Sequence, residues 1–186
     1  MHSVSDNTLI QRTQSGNIDE YGELINRYQT AVFNVCYRLL GNYQEAEDST
    51  QDTFIRAYQK LHTFDIKRPF SPWVRKIATN ICLNRLQKRE HKYLPLDNEL
   101  NKGMTKNQTT PEEVIENNEQ VNLTWQAILD LPPKHRAVIE LRHYQELRYQ
   151  EISETLKMPL SDVKSYLFRG RRLLAKKLKE NGYSKE

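Results

Sequence analysis

The chain has 186 residues, of which 37% are hydrophobic and 28% are charged, and its formal net charge is +4. This length holds one domain or two small ones with modest cores, and the mildly basic balance suits a polyanionic partner without identifying one. Leu-rich stretches with three- and four-residue spacing, and little alternation of Val, Ile and Thr, predict an all-α protein.

The two cysteines, Cys36 and Cys82, lie far apart and belong to no CxxC or Cys/His cluster. We expect two core thiols in a reducing compartment rather than a disulfide or a metal site, and we predict no metal and no cofactor. No apolar run approaches the ~18 residues of a membrane-spanning helix, and the N-terminus lacks the apolar centre of a signal peptide. The expected location is the cytoplasm, without direct membrane insertion.

Residues 1–93 form the first helical block. Ser5 or Asp6 can cap a short helix, and Asp19 can cap a longer helix that ends at Gly41. Three- and four-residue spacing gives the longer helix one buried face, which consists of Leu24, Tyr28, Val32, Val35, Cys36 and Leu39.

A third helix is predicted over roughly residues 44–61. Its inward stripe consists of Ala46, Thr50, Phe54, Ala57, Tyr58 and Leu61. Its other side carries Asp48, Gln51, Asp52, Ile55, Arg56 and Gln59. An apolar Ile inside a rim of acids and amides suits a protein partner better than DNA. A solvated face with one isolated Ile is the alternative, and these residues alone favour it.

A loop follows, and Ser71 with Pro72 forms a good N-cap and first turn for a fourth helix that runs to about Glu90. The loop and the helix mix cations with aromatic rings: Phe64, Lys67, Arg68, Phe70, Trp73, Arg75 and Lys76. Rings that stack on unpaired bases and cations that meet phosphates are typical of single-stranded DNA binding. A Trp beside Val74 and Ile77 is more often a core residue than a base platform, so both interpretations of Trp73 stay open.

The helical pattern disappears between the blocks, and residues 94–109 are predicted to be a flexible linker. Thr110 and Glu113 are placed for a capping box that restarts a helix, so the second block covers residues 110–186. Segments 62–93 and 157–186 are rich in Lys and Arg, whereas 97–119 is rich in acids. Two basic segments joined by an acidic segment suggest two nucleic-acid contacts on one chain.

The second block contains a helix to about Leu131, a break at Pro132-Pro133, a helix through Ile139 and Leu141, and the stretch from Tyr149 to Leu174. That stretch has a short helix, a break at Met158-Pro159 and a second, basic helix, which is the pattern of a helix-turn-helix. The inward stripe of the basic helix is expected to pack on Ile152 and Leu156 and consists of Val163, Leu167, Gly170 and Leu174.

The outward side of this basic helix, for which Ser161 is a sound N-cap, carries Lys164, Ser165, Phe168, Arg169, Arg171 and Arg172. Arg can pair with guanine, Ser can bond to a base or phosphate, and Phe can contact a thymine methyl group. An ordinary amphipathic helix with a solvated basic face is the alternative. The break, the helix lengths and the flanking apolar spacing together favour DNA binding.

Three stretches, taken in order, resemble the extracytoplasmic-function (group IV) sigma factors of bacterial RNA polymerase. The first resembles sigma region 2.2 and reads NYQEAEDSTQDTFIRAYQKL. The second resembles regions 2.3 and 2.4 and reads FDIKRPFSPWVRKIATNICLNRL. The third resembles region 4 and reads LPPKHRAVIELRHYQELRYQEISETLKMPLSDVKSYLFRGRRLL. The resemblance covers nearly the whole chain and implies two small helical domains, regions 2 and 4, joined by the acidic linker.

The resemblance also implies roles for residues. The face with Asp48, Gln51, Asp52 and Ile55 would dock on the polymerase, on the clamp helices of its β′ subunit. The loop from His62 to Pro72, with Asn80, would hold a flipped base of the −10 element, while Arg75 and Lys76 would hold the nearby backbone. The implied −10 contacts are Phe64, Lys67, Phe70, Trp73, Arg75, Lys76 and Asn80. The −35 element would be read in duplex form by Lys164, Ser165, Phe168, Arg169, Arg171 and Arg172.

The implied protein is an alternative sigma factor, not an enzyme, with a stress or envelope-response regulon. Its implied partners are core RNA polymerase (β′ and β subunits), promoter DNA and an anti-sigma factor. The sequence departs from the family pattern at Ser161-Asp162, at Tyr166, at Lys157 in the turn and at Arg148 before the motif, so the promoter sequence stays open. Tyr166 lies beside the inward stripe, which favours packing over base reading.

Two other functions are compatible with parts of the chain. A stand-alone helix-turn-helix regulator would bind paired half-sites as a dimer, but it would need neither the acidic linker nor the aromatic loop. A nucleic-acid enzyme could use Glu45, Glu47, Asp48 and Asp52 as metal ligands. These acids spread around a helix axis without a His partner or a Gly-rich phosphate loop, which disfavours an enzyme.

Overall fold

The computed structural model describes residues 4–92 and 119–180, and every regular element within these two ranges is helical. The first block contains α1 (Asp6–Gln14), α2 (Asp19–Leu40), α3 (Tyr43–Lys60), a short 3-10 turn (Leu61–Thr63) and α4 (Phe70–Lys92). The second contains α5 (Glu119–Leu129), α6 (Pro133–Ile139), a π-helical turn (Glu140–Tyr144), α7 (Tyr149–Leu156) and α8 (Leu160–Glu180). The all-α prediction is confirmed, and no described helix is both long and apolar enough to cross a membrane.

Local capping fixes the start of α1 and the end of α2. Ser5 Oγ accepts the Thr8 N–H at 3.2 Å at the start of α1. Gly41 ends α2 in the left-handed region, at φ 72°, where its N–H donates to the Tyr37 carbonyl. The prediction that Asp19 caps α2 is wrong by one position, because Asp19 is the first helical residue and its carboxylate lies in the acid-favouring first turn.

Two further helix starts differ from prediction in the same way. Helix α4 begins at Phe70, so Ser71 and Pro72 lie inside its first turn rather than at the cap. Proline fits there because first-turn N–H groups have no partner within the helix. Helix α8 begins at Leu160, and Ser161 lies in its first turn beside Asp162, with 3.3 Å between Oγ and Oδ1.

The core of the first block lies where α2, α3 and α4 face one another. Its buried residues include Leu24, Val32, Val35, Cys36, Leu39, Phe54, Ala57, Phe70, Val74, Ala78 and Cys82. The predicted inward stripe of α3 is wrong at Tyr58, which is 42% exposed. Ser49 and Thr53 are fully buried instead, and the Thr53 hydroxyl donates to the Ser49 carbonyl at 2.6 Å.

The core of the second block forms beneath the helix-turn-helix. Its buried residues are Leu131, Val138, Ile139, Leu141, Ile152, Val163 and Leu167. The predicted turn is present, and Lys157 ends α7 in the left-handed region at φ 51°. The predicted helix through Ile139 and Leu141 continues as a π-helical turn, while the expected linker and the capping box at Thr110 lie outside the described residues.

Candidate polymerase and nucleic-acid interfaces

The outer face of α3 presents all four residues that the sequence predicts for polymerase binding. Asp48, Gln51 and Asp52 are exposed, and 58% of the Ile55 side chain is open to solvent. Isolated exposed apolar residues are ordinary, but this one lies at the edge of a groove between α3 and α4. The face therefore offers one apolar anchor inside a polar rim.

Basic residues of α4 cross this groove to the acids of α3. Arg85 Nη2 donates to Asp52 Oδ2 at 2.6 Å, and Arg85 Nη1 lies 4.0 Å from Asp48 Oδ2. Arg89 pairs with Glu45 one turn away. Sequence reasoning counted Arg85 only within a basic segment, since nothing local shows which acid it meets 33 residues away. The face is a mixed-charge surface rather than a purely acidic one.

The aromatic residues predicted to stack on DNA bases form a cluster at the start of α4. The ring centroids of Phe64 and Trp73 are 5.0 Å apart, those of Phe70 and Trp73 5.5 Å, and those of Phe64 and Phe70 5.7 Å. Phe64 and Phe70 are 7% and 2% exposed, so the prediction that they are free stacking platforms is wrong. Only Trp73 is partly open, and the two Phe rings support it from inside.

Cations and amides surround this cluster. Lys67 and Lys76 are exposed, and Arg75 and Asn80 are half-buried. Asp65 shapes the loop, because its Oδ1 accepts the Lys67 N–H at 3.0 Å. The arrangement brings one partly open ring together with cations, the combination that is typical of single-strand binding sites.

The outer face of α8 carries the predicted −35 residues. Lys164, Phe168, Arg169, Arg171 and Arg172 are exposed, and Ser165 is half-buried. Phe168 is 62% exposed, and its ring centroid lies 5.8 Å from the Arg172 guanidinium. A solvent-exposed aromatic ring beside cations fits a DNA-binding surface, because Phe can contact thymine methyl groups there.

Two other residues of α8, Tyr166 and Arg171, contact histidines of α6 and of the π-helical turn. Tyr166 packs edge-on against His135 with 5.1 Å between ring centroids, consistent with the prediction that it packs rather than reads bases. Arg171 Nε donates to His143 Nε2 at 3.3 Å. Burial, with the nearby Arg169, lowers the pKa of His135, and burial with Arg171 and Arg142 lowers the pKa of His143. Both shifts favour the neutral imidazole beside a cationic helix.

Two family models match the two blocks in order. The model described as Sigma-70 region 2 matches residues 24–92, and the model described as Sigma-70, region 4 matches residues 122–174. The predicted polymerase and −10 residues all lie within the first match, and the predicted −35 residues all lie within the second.

Comparison with other proteins gives the same family. The chain is 38% identical to the ECF RNA polymerase sigma factor SigW of Bacillus subtilis (strain 168), over 92% of this chain and 95% of that one. It is 29% identical to the RNA polymerase sigma-H factor of Pseudomonas aeruginosa, over 93% of each. Its fold is similar to the sigma factor RpoE of Bartonella quintana, solved with the anti-sigma factor NepR, at a TM-score of 0.65, 19% identity and 86% and 97% coverage.

These matches decide between the functions that the sequence left open. Both halves of the chain match sigma regions, so the helix-turn-helix does not belong to a stand-alone regulator. The chain belongs to the extracytoplasmic-function group of the sigma-70 family, and it is an alternative sigma factor for transcription initiation.

Proposed function

We propose that this chain docks on core RNA polymerase through the outer face of α3, with Ile55 as the apolar anchor and Asp48, Gln51 and Asp52 as its polar rim. The partner helices would be those of the β′ clamp, and further contacts would fall on the β subunit. The exposure of Ile55 beside a groove supports this assignment, because an apolar residue at the centre of a polar patch is the usual anatomy of a protein interface.

The −10 element would be opened at the start of α4. A base extruded from the duplex costs a few kcal/mol, and stacking on Trp73 with hydrogen bonds from Asn80 would offset that cost. Lys67, Arg75 and Lys76 would hold the neighbouring backbone. Phe64 and Phe70 contribute by fixing the Trp73 ring from the buried side.

The −35 element would be read by the outer face of α8 in the major groove. Arg169 and Arg172 would contact guanine edges, and Phe168 a thymine methyl group. Lys164, Ser165 and Arg171 would position the helix through phosphates. The linker of residues 94–109 would span the distance between the two promoter elements along the polymerase.

In this function the chain has no catalytic chemistry of its own and needs no cofactor, because the polymerase makes the RNA. It would act in the cytoplasm, on promoters of a stress or envelope-response regulon. An anti-sigma factor is a further proposed partner, in keeping with the NepR complex of the fold neighbour.

The observation that carries the proposal is the order of the two matched regions, with every predicted contact residue inside them. Run-off transcription of genomic fragments by core polymerase, with and without the chain, tests it. We expect discrete start sites that appear only when the chain is present. Tight binding of the chain alone to duplex DNA, with no promoter specificity given to the core enzyme, would contradict it.

A further inference from the structure

One arginine of α4 contacts successive turns of α3 on the side that carries the proposed polymerase residues. Arg85 Nη2 donates to Asp52 Oδ2 at 2.6 Å, and Arg85 Nη1 lies 4.0 Å from Asp48 Oδ2. The same Nη1 donates to the Glu45 carbonyl at 3.4 Å. Residues three and four positions apart form one stripe along a helix, so a single guanidinium contacts two carboxylates and the backbone of one face.

The stripe continues to Ile55, the exposed apolar residue of the same face. Ile55 follows Asp52 by three positions, and both line the groove between α3 and α4 together with Arg85. The side chains of Asp48 and Asp52 are 60% and 52% exposed, so each carboxylate can still accept hydrogen bonds from a partner. A partner that covers Ile55 would therefore meet Asp52 in the orientation that Arg85 gives it.

The exposure of these groups argues against a mainly structural role for Arg85. Its side chain is 31% exposed, and ion pairs in contact with water contribute little to folding. Their contribution to binding is different in kind. A free Asp side chain samples several rotamers, and a partner that binds it has to order it. A pair that is formed before docking removes part of that entropic cost.

Arg85 also alters the charge of the stripe. It pairs with Asp52, and Arg89 pairs with Glu45 one turn away, which leaves Asp48 as the less closely paired carboxylate. A surface of mixed charge attracts a basic partner only weakly over a distance. Recognition at such a surface depends on the short-range arrangement of its groups.

We propose that Arg85 is a positioning residue of the polymerase-docking surface, which orients Asp52 and Asp48 beside Ile55 and makes docking depend on their arrangement rather than on long-range attraction. This role rests on the proposed docking of α3 on core polymerase. Arginine suits it because the planar guanidinium carries five donors in fixed directions, whereas a lysine ammonium is a compact point charge.

Three variants of the full-length chain separate positioning from charge. Arg85→Met removes both the charge and the donors, and Arg85→Lys keeps the charge but replaces the fork with one ammonium. Arg12→Met breaks the exposed Arg12–Glu20 pair elsewhere in the first block and is the matched control. Circular dichroism and chemical denaturation establish that each variant is folded, and Arg85→Lys carries the test if Arg85→Met is not.

Two probes are titrated with each variant: core RNA polymerase, and oligolysine as a polycation without the shape of the polymerase. Arg85→Met should bind core polymerase at least about fivefold more weakly, mainly through faster dissociation, because the partner then has to order two free carboxylates. It should bind oligolysine more tightly, because the stripe has lost a positive charge. Arg85→Lys should bind polymerase with intermediate affinity and oligolysine as the parent does.

Opposite effects on the two probes distinguish positioning from its alternatives. A role in charge alone predicts tighter binding of Arg85→Met to both probes, and misfolding predicts weaker binding to both. Unchanged or tighter polymerase binding by Arg85→Met, or parent-like polymerase binding by Arg85→Lys, would overturn the proposal.

A double-mutant cycle shows whether Arg85 acts through the two carboxylates. In a chain with Asp48→Ala and Asp52→Ala, Arg85→Met should cause no further loss of polymerase affinity. An equal loss with and without the carboxylates would contradict positioning, since Arg85 would then contact the polymerase itself or support the fold.

Ile55→Ser, titrated in parallel, reports the docking of α3 independently of Arg85. If Ile55→Ser and the Asp48→Ala/Asp52→Ala chain both bind core polymerase as the parent does, the docking proposal and the role of Arg85 fail together. If these chains bind weakly while the Arg85 variants bind as the parent does, only the role of Arg85 is excluded.

Discussion

Arg85 on α4 donates to Asp52 on α3 across 2.6 Å, so the acidic face predicted for polymerase binding carries its own counter-charge. The two side chains are 31% and 52% exposed, and ion pairs at that exposure contribute less than about 1 kcal/mol to stability. The pair therefore affects the charge that the face presents to a partner more than it stabilises the packing of α3 on α4. Ile55 is the exposed apolar residue of that face and its proposed anchor.

We expect Ile55→Ser to weaken binding to core polymerase by at least about tenfold, because an apolar side chain in the centre of an interface contributes most of its binding energy there. The free energy of unfolding should change by less than about 0.5 kcal/mol, since Ile55 is exposed. Binding titrations with core enzyme and chemical denaturation measure the two effects. Ile18→Ser, at another exposed Ile, is the matched control and should leave polymerase binding unchanged.

Residues at the start of α4 should separate into structural and DNA-contacting groups. Phe70→Ala should cost about 3–5 kcal/mol of stability, because Phe70 is buried against Phe64 and Trp73. Lys76→Ala should leave stability unchanged but slow promoter opening, which permanganate reactivity of unpaired thymines follows on holoenzyme. Normal opening by Lys76→Ala would argue against a backbone contact there.

The outer face of α8 makes a sequence-dependent prediction. Arg169→Ala should cost about 1–3 kcal/mol of promoter binding, and the loss should concentrate at one base pair of the −35 element. Promoters selected by the parent holoenzyme from a library with a randomised −35 element supply the substrates. Lys176→Ala, on an exposed position of the same helix, is the control. An equal loss on every −35 sequence would show that Arg169 meets only phosphate.

The two histidines of the second block should make its stability fall on acidification. The pKa values of His135 and His143 are lowered below 6.5 in the folded chain, so the unfolded chain binds protons more readily. Their contribution is present above pH 6.5 and is lost as the pH falls through the lowered pKa values. Protonation of His143 would also remove the acceptor of the Arg171 Nε–H.

Melting temperatures between about pH 7.5 and pH 5.5 test this sign. His143→Gln and His135→Phe should each flatten the pH dependence. His62→Gln, at an exposed position of the first block, should leave the slope as in the parent. A pH dependence that both histidine variants leave as in the parent would contradict the prediction.

Much of the site follows from residue spacing. Periodicity places Val163 and Leu167 inward and Arg169 outward on α8, as the structure confirms. Spacing also puts Ile55 among polar residues on one side of α3. Residue spacing does not predict that Phe64 and Phe70 are buried. They lie in a predicted loop, which has no fixed period, so only the packing decides which rings turn inward. Helix caps at Asp19, Ser71 and Ser161 are missed by one or two positions, since neighbouring residues can each satisfy the first-turn N–H groups.

The sequence by itself determined the all-α class, the order of the two regions and the faces that carry Ile55 and Arg169. All of these depend on a repeat of 3.6 residues or on a motif of contiguous residues. Only the tertiary structure decided that Arg38 meets Glu140 and that Gln145 covers Thr79. Contacts between residues so far apart in sequence arise from how whole helices pack, and a local pattern does not record them.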